Sequence, residues 1–265
     1  MIELFSYQFI QHAFIAGLLV AVLCAITGIG VVSRNMSLLG DSLSHLSFGA
    51  AAVAVFSHLP FLVLTVPAAL FGAIFITKFS KKNNNSSDAL VAAISTAGIS
   101  VGVLVASFTR NVTIDIQSFL FGSILTVEAT DLIALSVLFI FVSVGFFVYK
   151  KEIFNVLFDA EQAKISGINV NVYQIVISLV TGLVVALSMK IVGALLMSAL
   201  LVLPAFSAMR LANGFSRSVI LSSTFSLFSV TVGMFISFST NSPTGPVIAL
   251  CASFIFLVAL ISSRE

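Results

Sequence analysis

Asp41 and His45 stand four residues apart in Met36-Ser-Leu-Leu-Gly-Asp-Ser-Leu-Ser-His-Leu-Ser-Phe-Gly49, inside a sequence that otherwise avoids charge. On a helix that spacing puts both side chains on one face, where a carboxylate oxygen and a ring nitrogen can converge on one cation. Such a donor pair suits zinc, manganese or iron(II) better than alkali ions. Two ligands on one chain make a weak trap, and weak binding suits passage. If two copies face each other, two Asp and two His could form a four-ligand site on the symmetry axis. A plainer alternative exists: Asp41 follows Gly40 and could cap the helix start, with His45 bonded to Ser42 or Ser44.

Other polar residues are weaker candidates. His12 opens the first apolar run and His58 sits at a turn beside Pro60, as interfacial histidines do. Asp115, Glu128 and Asp131 could draw in cations or bind a delivery protein electrostatically, or could be solvated loop acids. No Gly-Lys dipeptide occurs, so a Walker A loop is absent, and His-Glu-x-x-His is not found. No permanently bound cofactor is expected; a metal ion would be cargo.

The elements that must position the pair are membrane helices. The chain is 59% hydrophobic and 8% charged, with a mean hydropathy of +1.19, far from the roughly 25% charged of a soluble domain. Candidate spans lie at about 9–32, 40–57, 60–78, 89–108, 131–149, 173–189, 191–210, 217–239 and 245–262. The second is the shortest, so eight full spans are the alternative to nine. The fold class expected is an all-α polytopic membrane protein, with residues 1–265 as one transmembrane domain. A formal charge of +2 and the lack of a basic stripe exclude nucleic acid as a partner. Cys24 and Cys251 fall in apolar runs and imply no disulfide framework. Met1 to Gln11 carries Glu3 and no Lys or Arg, unlike a removable signal peptide.

If the Lys78–Asp88 loop is cytoplasmic, ten of the 12 Lys and Arg lie inside, leaving Arg110 and Lys190 outside. This positive-inside bias implies an external N-terminus and a cytoplasmic C-terminus for nine crossings. The polar Lys81–Asp88 stretch reads as a flexible loop. Thr109 to Asp131 contains Phe119-Leu-Phe-Gly-Ser-Ile-Leu125, too short to span, and fits a re-entrant or interfacial segment. In the loop from Lys150 to Val172, Asp159 can cap a helix with Gln162 three residues on, and Gly167 can end it. Lys190 alone joins spans 173–189 and 191–210, which suggests a tight external hairpin. Gly182, Gly193, Ala194, Ser198 and Ala199 allow close helix packing, and Pro204 should kink the second of these helices. Asn241-Ser-Pro-Thr-Gly-Pro246 is a turn cluster.

At these residues the chain resembles the membrane permeases of bacterial zinc, manganese and iron(II) ABC importers. The resemblance rests on Gly17 to Cys24 leading to Met36–His45, on Phe119-Leu-Phe-Gly122, on Val192-Gly-Ala-Leu-Leu-Met-Ser-Ala-Leu-Leu-Val-Leu-Pro-Ala205, and on Ser242-Pro-Thr-Gly-Pro246. It implies a type II importer fold in the bacterial cytoplasmic membrane and a homodimer working with a cytosolic ATP-binding subunit pair and an extracellular or periplasmic metal-binding protein. By position, Asp41 and His45 would line the metal path. The segment holding Asp159, Glu161, Ala163 and Gly167 resembles the element that docks on the ATPase. The chain departs from the family pattern at Arg34-Asn35, where a basic pair is usual, and at Asn241, where Asp is common. The competing readings are a self-sufficient secondary carrier or channel for divalent cations, for which no internal repeat is found, and an intramembrane enzyme, disfavoured by the missing metal motif and by a total of three histidines.

Overall fold

In hydrocarbon each backbone N–H and C=O needs an internal partner, so apolar runs of this length fold as helices. The computed structural model describes residues 8–80, 87–108, 116–122, 127–240 and 242–262. Twelve helices follow in order: α1 Gln8–Val32, α2 Leu38–Phe56, α3 Phe61–Ser80, α4 Ser87–Phe108, α5 Ile116–Phe121, α6 Ala129–Val148, α7 Lys150–Phe158, α8 Ala160–Ile165, α9 Val170–Val192, α10 Ala194–Leu211, α11 Phe215–Thr240 and α12 Thr244–Ser262. Nine of these are long and apolar enough to cross a membrane. The run expected to be doubtful, α2, is one of them at 19 residues. Residues 81–86 of the polar loop lie outside the described residues.

The core forms where α10 packs against α1, α2, α11 and α12, while α9 lies against α3, α1 and α2. Leu39, Leu43, Ile76, Met197, Leu200 and Leu201 are at most 2% exposed in it. At the periphery, α6 turns Ile133, Val137, Ile140, Phe141 and Phe147 outward. Such a face needs lipid around it.

Small residues bring the backbones together. A side chain at Gly49 would stand 2.6 Å from the Gly98 carbonyl oxygen, and one at Gly98 would fall on the His45 carbonyl, so α2 and α4 touch backbone to backbone. Gly72 of α3 receives Leu43 and Leu46 in the same way, and Gly182 of α9 meets Ala69.

Buried hydroxyls mostly turn back on their own helices. Thr27 donates to the Leu23 carbonyl at 2.7 Å, Ser44 to Gly40 at 2.7 Å, Ser207 to Leu203 at 2.7 Å and Ser229 to Phe225 at 2.8 Å. Among the described residues, Thr77 of α3 also reaches Ser178 of α9 at 2.7 Å, and Ser222 of α11 donates across to the Ala25 carbonyl of α1 at 3.3 Å.

The expected hairpin around Lys190 takes another form. Lys190 lies in the last turn of α9, and Gly193 alone separates α9 from α10, with φ +90° and ψ 151°. The two helices then pack chiefly on different neighbours. A side chain at Gly193 would fall on the backbone of Leu120, Phe121 and Gly122, and one at Gly245 on the Phe121 carbonyl. The short α5 segment is thus seated against the α9–α10 break and the start of α12. Pro204 lies inside α10, which runs through it unbroken.

Candidate functional site

Asp41 and His45 share one face of α2, with His45 Nε2 3.4 Å from Asp41 Oδ1. The plainer alternative is not what forms. Ser37 precedes the helix as its cap residue, and Ser42 and Ser44 bond to α2 carbonyls rather than to His45. The separation exceeds the 2.7–2.9 Å of a charge-assisted hydrogen bond. Two donors each about 2.0–2.1 Å from a tetrahedral zinc ion stand roughly 3.4 Å apart, so the spacing suits a cation between them.

The two groups differ in access. The Asp41 side chain is 37% exposed and that of His45 8%. Among the described residues His45 Nδ1 is enclosed without a hydrogen-bond partner, so no bond at Nδ1 fixes the ring tautomer. Nε2 is then available to hold a proton toward Asp41 or to offer its lone pair to a metal.

Counting from the start of α2 puts Asp41 near a helix end, but the neighbours place the pair deeper. His45 lies against Gly98, halfway along α4, and the following Leu46 meets Gly72 near the middle of α3. Asp41 is one turn away, about 6 Å along the axis. From α10, Leu201 fits over Gly40, and the Ser198 hydroxyl faces the Asp41 carboxylate. Sequence reasoning assigned Ser198 to helix packing and missed this contact; its place in the same four-residue register as Ala194 was the available signal.

The other candidates lie elsewhere. His12 is half-buried on α1, and His58 is exposed beyond α2 with φ 53°. Asp131 pairs with Lys190 at 2.7 Å, Glu128 lies 3.7 Å from the same ammonium, and the two acids form a capping box at the start of α6. They are tied into a lysine-centred triad instead of standing as free loop acids. Asp115 and Asn241 lie outside the described residues. Among the described residues no three of His, Cys, Asp and Glu gather as a metal-binding set.

The second candidate cluster forms as a short helix. Asp159 Oδ1 accepts the Gln162 N–H at 2.9 Å and caps α8, and Gly167 ends it at φ +80°. Ala163 is 1% exposed and packs with Val156 and Val170, which anchors α8 while Glu161 faces outward. Two features escaped the sequence: the amphipathic α7 that precedes α8, and Ile165, which is 88% exposed.

The model of the ABC 3 transport family matches residues 6–263. The chain is 29% identical to the high-affinity zinc uptake system membrane protein ZnuB of Haemophilus influenzae, covering 96% of this chain and 97% of that protein. It is 28% identical to the manganese transport system membrane protein MntC of Listeria monocytogenes, with 97% and 92% covered. Among solved structures it is similar to PsaBC from Streptococcus pneumoniae in complex with Fab, at a TM-score of 0.86 and 29% identity, covering 98% of this chain and 95% of that one.

Proposed function

The chain belongs to the ABC 3 transport family, and from that premise we propose that it is the permease of an importer that carries zinc or manganese, or iron(II), into a bacterial cytoplasm. The whole of residues 1–265 acts as one transmembrane unit of a homodimer. A cytosolic ATPase pair supplies the energy, and an external metal-binding protein delivers the ion and sets which metal is taken. The chain itself carries no catalytic chemistry. The observation that carries this proposal is the Asp41–His45 pair, at metal-ligand spacing in a membrane-spanning helix with His45 level with the middle of α4, where ionisable groups are costly unless they serve function. Partial exposure of Asp41 leaves a side open for a second copy to complete the ligand set.

Orientation in the bacterial cytoplasmic membrane follows the cations. Arg34, Lys78, Lys150, Lys164, Arg210 and Arg217 sit at or beyond helix ends on the side assigned to the cytoplasm, with the C-terminus there as well. On that side α8 would dock on the ATPase. Asp159 and Gly167 shape it, Ala163 fixes it to the bundle, and Glu161 and Ile165 offer contact.

Two experiments test this. In vesicles holding permease and ATPase subunits, zinc or manganese uptake is expected to require ATP; uptake by the permease alone, without ATP, would establish the secondary carrier instead. Ile165→Glu changes a side chain that supports no packing, and it is expected to weaken copurification of the ATPase about tenfold or more, as loss of an interface anchor does. Asp159→Ala removes the cap, at about 1 kcal/mol of local helix stability, and should weaken it less. An unchanged yield of complex with both variants would remove α8 from the interface.

A further inference from the structure

From a cavity between α1, α6, α7 and α9, we infer that the chain holds one anionic glycerophospholipid, its acyl chain in the cavity and its headgroup at the α6–α7 corner. The cavity measures about 190 Å³ and opens beside Phe141, Tyr149 and Val176, which are themselves exposed. Its lining runs from Phe141 to Tyr149 on α6 and from Val180 to Tyr173 on α9, about 10–12 Å of helix. Nearly every lining group is apolar, and a side chain added at Gly145 would meet open space. In a membrane an elongated apolar slot of this kind is filled by a hydrocarbon chain.

The mouth fits a particular headgroup. Lys150 and Lys151 follow Tyr149 directly, and Arg34 donates to the Gln174 carbonyl at 3.3 Å, next to Tyr173. Burial pulls the Arg34 guanidinium below its usual range, but a guanidinium stays charged in proteins. Three cations thus adjoin the lining residues Tyr149 and Tyr173, against one acid, Glu152, on the same stretch of chain, and this excess favours a phosphate. The excess of cations points to the anionic phosphatidylglycerol over the zwitterionic phosphatidylethanolamine. The helix α7 suits this position, because Val156 and Leu157 are buried toward the bundle while Lys151 is exposed and Lys150 is half-buried, as in a helix lying at a membrane surface. This corner is cytoplasmic in the orientation proposed above; the lipid site itself does not depend on that proposal.

The test uses the permease–ATPase complex reconstituted in bilayers of equal phosphatidylglycerol and phosphatidylethanolamine, repurified, and its retained lipid measured by mass spectrometry. Wild type is expected to keep about one phosphatidylglycerol per permease chain. Lys150→Gln with Lys151→Gln should weaken its retention about fivefold for each lysine lost, and Gly145→Leu should displace lipid of either class. Retention of both lipids in bilayer proportion, or equal retention by Gly145→Leu and wild type, would overturn the inference. The lysine variants carry the test alone if Gly145→Leu does not assemble. No metal enters the measurement, so its failure leaves the importer proposal standing, and a failure of ATP-driven uptake leaves the lipid site standing.

Discussion

Replacing Asp41 or His45 with alanine is expected to cut metal uptake about a hundredfold or more while the permease–ATPase complex still assembles. Even supporting groups around a metal change its affinity by 10–100-fold when removed, and these two are the ligands proposed for each chain. The folding cost should be bearable. Asp41 is partly exposed, and His45 leaves no broken hydrogen bond at Nδ1, because that atom has no partner to lose. Asp41→Asn separates charge from shape: it keeps the contact toward Ser198 but offers a poorer ligand, so uptake should fall nearly as far. Radiolabelled zinc or manganese uptake in reconstituted vesicles, with size-exclusion profiles of the same samples, measures both effects. Full uptake by the alanine variants would reduce the pair to helix packing.

A second large effect is expected at the α9–α10 break. Gly193 combines φ +90° with ψ 151°, a conformation essentially confined to glycine, and any Cβ there falls on the backbone of Phe121 and Gly122. Backbone cannot step aside as a side chain can. Gly193→Val should therefore destabilise the protein by about 3 kcal/mol or more, through strain and overpacking together, and detach the α5 segment. Gly214 provides the control: its φ is +109°, but a Cβ there meets nothing within 4 Å, so Gly214→Val carries the strain without the clash. Thermal unfolding of the purified complexes compares them. Equal losses at the two positions would show that the α5 contact contributes nothing.

Much of this fold was legible because lipid imposes a simple rule, that a long apolar run becomes a helix. Nine spans and the capped α8 appear within a few residues of where the sequence puts them. The Asp41–His45 pairing was equally legible, since four residues of helix dictate it. What the sequence could not supply was placement between helices. The depth of His45 depends on its contact with Gly98, 53 residues away, and the role of Ser198 depends on how α10 faces α2. Lys190 misled as a boundary, because a lysine in an apolar run looks like a loop residue, whereas here Asp131 neutralises it inside a helix. Nor did α7 stand out, because its nine residues share a loop with α8 and are too short to register as a span.

The self-bonded hydroxyls bear on how such a bundle can move. An importer must let its helices slide and tilt past one another during each cycle. A serine that donates to its own helix travels with it, so gliding along that seam ruptures no polar link and the friction stays low. Where Thr77 clasps Ser178 and Ser222 clasps the Ala25 carbonyl, the seam is pinned. The pairs α3 with α9 and α1 with α11 are thereby yoked as stiff planks.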